Sequence, residues 1–164
     1  MNIASLLDRP EYVHAAINHF PLVGLLVAMV SLVCALALRN RTAVFAGLGL
    51  IAVLALSAWV VSYFGEEGYD RVLSMADEDG QAFLQYHQHL ADRWIVLYYL
   101  CAGSAALGIG LGWKWPRTLN PLASITLLLA AASFIAGIFI ARAGGQIRHR
   151  EFRSGHPPEM SQPH

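Results

Sequence analysis

Four stretches of this chain carry no charged residue: 20–38, 42–64, 94–113 and 119–141. Each is close to the ~20 residues an α-helix needs to cross ~30 Å of hydrocarbon. Lipid offers no water to backbone N–H and C=O groups, so a segment that crosses it must satisfy its own hydrogen bonds, which makes it a helix. One buried helix of a soluble domain can imitate such a stretch, but four within 164 residues could not be covered by the rest of the chain. The composition agrees, with 56% hydrophobic and 13% charged residues, where a soluble domain carries about a quarter charged. The expected fold class is all-α: an integral membrane antiparallel four-helix bundle made of two helical hairpins.

The connections at Asn40 and Pro116 are short enough to close the two hairpins, and the chain reads as a single domain over 1–151 with a polar, disordered tail over 152–164. Between the hairpins runs Gly65 to Arg93, acidic through Asp77, Glu78 and Asp79. Its later part, Gln81 to Arg93, has the composition of a short interfacial helix or of an extension of the third span. Tyr12, Tyr63 and Trp94 mark one interface, Trp113 and Trp115 the other, as aromatic belts do. No cleavable signal peptide is visible, because the first apolar run starts late and is of full transmembrane length. Arg39, Arg41, Lys114 and Arg117 concentrate charge in the two short connections and favour a cytoplasmic side there. A plain count of Lys and Arg near the span ends favours the other side, through Arg9, Arg71, Arg93, Arg142, Arg148, Arg150 and Arg153. Weighting the first helix and the short connections puts both termini and the His-bearing face outside the cytoplasm.

Nearly all the residues suited to chemistry collect at that face: His14, His19, Glu66, Glu67, His87, His89, His149 and Glu151. Asp8-Arg9-Pro10-Glu11 reads as a capped helix start, with Asp8 at the cap, Pro10 in the first turn and Glu11 at the third position. Asn18 follows His14 by one turn on the same face. Pro21 cannot bond back to the carbonyl of Ile17 and should bend the helix beside His19. A lone interfacial histidine is ordinarily wet and idle, but His, Asn, His and a helix-breaking Pro crowd into eight residues here. His87 and His89 point about 200° apart on a helix, so at most one faces inward. Glu67 fits a solvated acidic loop. The Gly144-Gly145 pair lets a helix or a flat ligand approach the backbone closely. The two halves look related, Ser62-Tyr63-Phe64-Gly65-Glu66-Glu67 standing where Ala143-Gly144-Gly145-Gln146-Ile147 stands in the second half.

Two hairpins in series bring all four helices' imidazoles and carboxylates to one layer, the way bundles build metal sites. The candidate metal ligands are His14, His19, Glu66, His87 and His149. Such ligands suit a transition metal ion such as Fe, Cu, Zn or Mn. The rival cofactor is a b-type haem held axially by His19 with His87 or His89, with Asn18 in support and Arg93, Arg142 or Arg148 pairing the propionates. Carboxylates in the same layer favour the bare ion slightly. Cys34 and Cys101 sit at different depths and read as small hydrophobes.

The run His14-Ala-Ala-Ile-Asn18-His19-Phe20-Pro21-Leu-Val-Gly24, the turn Gly65-Glu66-Glu67 with Leu84-Gln85-Tyr86-His87, and the closing Gly144-Gly145-Gln146-Ile147-Arg148-His149-Arg150-Glu151 together resemble a bacterial family of small membrane proteins known only as domain of unknown function twenty-two thirty-one. The resemblance covers roughly Pro10 to Glu151. It implies a four-span protein of the bacterial inner (cytoplasmic) membrane, and no established activity.

The function expected is therefore a redox or electron-transfer accessory in the lipid bilayer, serving a periplasmic or membrane redox protein. The alternative is a non-enzymatic scaffold or interaction subunit without cofactor. No nucleophile–base pair has a recognisable spacing, so catalysis is not implied. Gly108-Ile-Gly110-Leu-Gly112 offers a close-packing face for another helix, although packing within the same bundle is the commoner cause of such a stripe; a homo-oligomer stays open as a partner. A transporter would normally place ionisable groups within the spans, and these spans have none. Zero formal net charge gives nucleic-acid binding no support.

Overall fold

The computed structural model describes residues 8–153 and Gly155, so the proposed disordered tail lies almost wholly outside the described residues. The described chain is helical with no strand, in the order α1 (Pro10–Ile17), a π-helical turn (Phe20–Gly24), α2 (Leu25–Ala37), α3 (Arg41–Glu67), α4 (Tyr69–Met75), α5 (Glu78–Lys114) and α6 (Leu119–Arg148), with short 3-10 turns at Pro116–Thr118 and Arg150–Phe152. Four helical segments are long and apolar enough to cross a membrane: Pro10–Ala37, Arg41–Glu67, Glu78–Lys114 and Pro116–Arg148. By length and composition this is a multi-pass membrane protein.

Several helix boundaries have a local cause. α1 begins at Pro10, whose missing N–H costs nothing in a first turn. Its cap is Arg9 rather than the expected Asp8, no side chain closes it, and Glu11 turns elsewhere. The helix stops at Ile17 and the chain re-enters helix through the π-turn that contains Pro21, where the ring removes the bond to the carbonyl four residues back. Asn40 caps α3 through its side chain, which accepts from the N–H of Ala43 at 3.1 Å. Asp77 caps α5 in the same way, accepting from Gly80 at 2.9 Å. Residues 81–93 are not a separate interfacial helix; they form the first turns of α5, which continues unbroken to Lys114.

The interior is built from small residues. Ala28, Ala35, Ala55, Ala58, Ala102, Ala105, Ala123 and Ala130 join Leu25, Leu32, Leu48 and Ile51 in one core drawn from α2, α3, α5 and α6. Large apolar side chains point outward instead, among them Val27, Leu107, Phe139, Leu128 at 72% and Trp113 at 78% exposure. A water-soluble domain does the opposite. Bulk outside and small residues inside is the pattern of helices suited to lipid, where no hydrophobic force gathers bulk inward and small residues win the contacts by letting backbones approach. The hydroxyls in this core are locally satisfied: Ser133 donates to the Leu129 carbonyl at 2.8 Å, and Ser104 donates to the Thr126 hydroxyl at 3.0 Å.

A second, smaller cluster sits at the end where α5 begins and α6 ends. Phe83, Leu84 and Ile147 pack with Tyr69, Val72, Leu73 and Ala76 of the α4 segment. Arg153 clamps it. Its guanidinium donates to both carboxylate oxygens of Asp77, at 3.0 and 2.9 Å, and to the carbonyls of Gln146 and Ile147, both at 2.8 Å. Those carbonyls belong to the last turn of α6, which has no helical partner of its own. Arg150 adds a second contact to Asp77 at 2.9 Å.

Candidate functional site

Two imidazoles meet where α1, α3, α5 and α6 come together beneath this cluster. The His14 ring from α1 and the His87 ring from α5 lie with centroids 6.2 Å apart and planes at 90°. Both are partly buried. His14 Nδ1 lies 2.9 Å from the Val61 carbonyl of α3, and His87 Nδ1 lies 2.8 Å from the Ile140 carbonyl of α6. A carbonyl oxygen can only accept, so each Nδ1 carries the proton and donates it. Each Nε2 then holds an in-plane lone pair, and no described residue hydrogen-bonds it. Fixing one ring nitrogen on a backbone carbonyl sets tautomer and orientation for whatever the other nitrogen binds.

Glycines give the rings their places. A Cβ on Gly65 would stand 2.9 Å from His14 Nδ1, and one on Gly144 would stand 3.1 Å from His87 Cε1. Each glycine lies four residues after the carbonyl that its histidine bonds: Val61 and Gly65 on α3, Ile140 and Gly144 on α6. The two seats are thus alike in construction, and they fall at the segments whose likeness is visible in the sequence.

The remaining candidates stand apart from this pair. Asn18 and His19 occupy the turn after α1 and are exposed. His89 is exposed on the far side of α5 from His87, as a spacing of two on a helix requires. Glu66 is exposed near the end of α3, its Oε1 3.4 Å from the Ser62 hydroxyl. Arg93 lies over the Trp94 ring at 5.5 Å. Arg148 reaches the Met75 sulfur at 3.4 Å, and His149 pairs with Glu151 at 3.0 Å out in solvent. The partner of His87 is His14, where the sequence had suggested His19. Among the described residues no three His, Cys, Asp or Glu side chains gather closely enough to hold one metal ion.

Two groups carry more than their sequence context announced. Glu11 folds back on α1, one turn before His14, and is only 7% exposed. Its Oε1 pairs with Arg71 Nε at 2.8 Å, while Oε2 is buried without a partner among the described residues. The close approach is possible because Gly68 offers no side chain: a Cβ there would lie 2.9 Å from the Glu11 nitrogen. Asp92 lies with Glu66 in a cleft between α3 and α5. The spacing Gly65–Gly68 against Glu11–His14, three and three, was the available signal for the first.

Comparison of the chain with protein-family models, with curated proteins and with solved structures finds no match.

Proposed function

We propose that this protein is a four-span bundle of two antiparallel hairpins in the bacterial inner membrane, and that His14 and His87 hold a single metal centre near one face of it as part of a redox or electron-transfer accessory. The observation that carries the reading is the paired Nδ1–H donation to the carbonyls of Val61 and Ile140, which leaves two oriented Nε2 lone pairs on rings 6.2 Å apart. Two imidazoles flanking one metal atom at nitrogen distances of about 2.0–2.1 Å bring their centroids to roughly 6.4 Å. Perpendicular ring planes share a line, and an atom on that line lies where both lone pairs can point. Imidazole suits copper, zinc and iron, and copper in its d10 state accepts two ligands alone. The resemblance to domain of unknown function twenty-two thirty-one belongs to the same proposal.

Haem is the second reading, and one observation favours it: among the described residues no three His, Cys, Asp or Glu side chains gather to hold a bare ion, whereas a haem would need only two imidazoles from the chain. Against it, clefts open elsewhere, one between α3 and α5 and one beside Asp77 and Arg153. A macrocycle would need a slot between the rings.

Purification in mild detergent from cells supplied with copper, iron and haem precursor decides the matter. Elemental analysis should give about one metal per chain, and His14→Ala or His87→Ala should each abolish it, whereas His19→Ala and His164→Ala should not. A Soret band that shifts on reduction selects haem. Equal metal content in all four variants, or none in the parent, overturns the metal reading and leaves the scaffold function.

A further inference from the structure

Between α3 and α5, Trp59, Ser62, Tyr63 and Glu66 face Asp92, Ile95 and Tyr99 across a cleft of about 330 Å³. That is within the range of small-ligand sites, roughly 300–1,000 Å³. Its walls are three aromatic rings and its polar edge is two carboxylates. Among the described residues the ion pairs are Glu11–Arg71, Asp77 with Arg150 and Arg153, and His149–Glu151, so neither Glu66 nor Asp92 has a cation. Arg93, the next residue after Asp92, is drawn onto the Trp94 ring instead. The carboxylates flank the charge-free stretches 42–64 and 94–113, so the cleft runs from a polar rim into the apolar part of the helices. Both carboxylates are exposed at that rim, where a head group at the interface reaches them.

We propose that this cleft binds the ammonium head of an amphiphile. Two like charges in one cleft repel, and a positive head between them relieves that repulsion. Aromatic faces attract ammonium groups through their quadrupoles, most strongly for Trp and where water is excluded. The tail would lie along Ile95, Trp59 and the outward apolar side chains of the same helices, Leu56 and Val60 among them, which are exposed. The inference stands apart from the imidazole pair and would survive its failure.

The test uses the full chain in uncharged maltoside micelles with a nitroxide-labelled hexadecyldimethylammonium probe, read by electron spin resonance as the immobilised fraction. Saturable immobilisation of about one probe per chain is expected. Glu66→Gln and Asp92→Asn should each weaken it five-fold or more, and the double variant should remove it, while Glu67→Gln leaves it unchanged. Far-ultraviolet circular dichroism equal to the parent's shows that the double variant is folded. Displacement by phosphatidylethanolamine assigns a lipid head as the ligand, and displacement by hexadecyltrimethylammonium alone assigns a free amphiphile. A saturable component retained by the folded double variant, equal binding of a hexadecyl sulfate probe, or displacement by neither competitor overturns the proposal.

Discussion

The seats of His14 and His87 are built to one pattern but delivered by different helices. His87 stands near the start of a continuous 37-residue helix whose first turns are capped by Asp77 and wedged by Phe83 and Leu84 against Ile147. His14 stands on an eight-residue helix that buries no apolar residue, joined to α2 through a turn and a π-turn. One ring is held by a fixed frame and the other by a hinged piece. The contrast teaches that the pair can be taken apart from the first half at little cost to the fold, but not from the second.

The sharpest way to break this comparison is to fill the glycines. Gly144→Val should destabilise the fold by about 2–3 kcal/mol, because α5 cannot retreat from the added methyls. Gly65→Val, despite the shorter gap, should cost about 1 kcal/mol or less and act mainly by swinging α1 away. Thermal unfolding in maltoside gives both values, and equal losses would refute the hinged-against-fixed distinction. The histidines themselves come next. His87→Ala removes one interhelical hydrogen bond and should cost ~1 kcal/mol, His14→Ala about half that, within the range for such bonds between membrane helices. A larger effect for His14 would reverse the assignment of the frame.

Glu11 tests the first half from another side. Arg71 is 54% exposed and can return to water, whereas Glu11 Oε2 is buried without a partner among the described residues. Glu11→Leu should therefore be neutral or stabilise by up to ~1 kcal/mol, since a half-satisfied buried charge is worse than a well-packed apolar group. A loss of more than ~1 kcal/mol would mean that the pair holds α1 in place. The smallest and most local effect concerns the second half. The hydrogen bonds from Arg153 hold the Asp77 carboxyl well below the usual carboxylate range. A depressed folded-state pKa contributes stability above the unfolded value, near 3.9, and loses it as pH falls through the folded value. The clamp should thus stay closed from pH 8 to pH 5 and open only below about pH 4. Hydrogen exchange at residues 146–153 reads this directly. Opening near pH 6 would place control with another group.

Much of the architecture was legible because lipid permits so few solutions. Charge-free runs of the right length leave only helices, and the connections at Asn40 and Pro116 mark where they end. The break near Pro21 was legible for the same local reason, a missing N–H. Asp8 was misjudged as a cap because a capping-box pattern names the residues but not which way the preceding chain runs; Arg9 takes that place without a side-chain bond. Of the ligand-type residues, the sequence could gather His14, His19, Glu66, His87 and His149 at one end but could not say which face inward. The helix offset between His87 and His89 allowed one of them inside, and the choice fell to the side bearing Gly144.

Sequence alone determined how many helices among the described residues are long and apolar enough to cross a membrane, since that follows from hydropathy and segment length. Tertiary structure decided that His14 rather than His19 meets His87, that Glu11 is buried, and that Glu66 shares a cleft with Asp92. The reason is that helix rotation and crossing are set by which small residues let backbones close on one another, and a Gly65 or a Gly144 acquires its meaning only from the ring that fills the space it leaves.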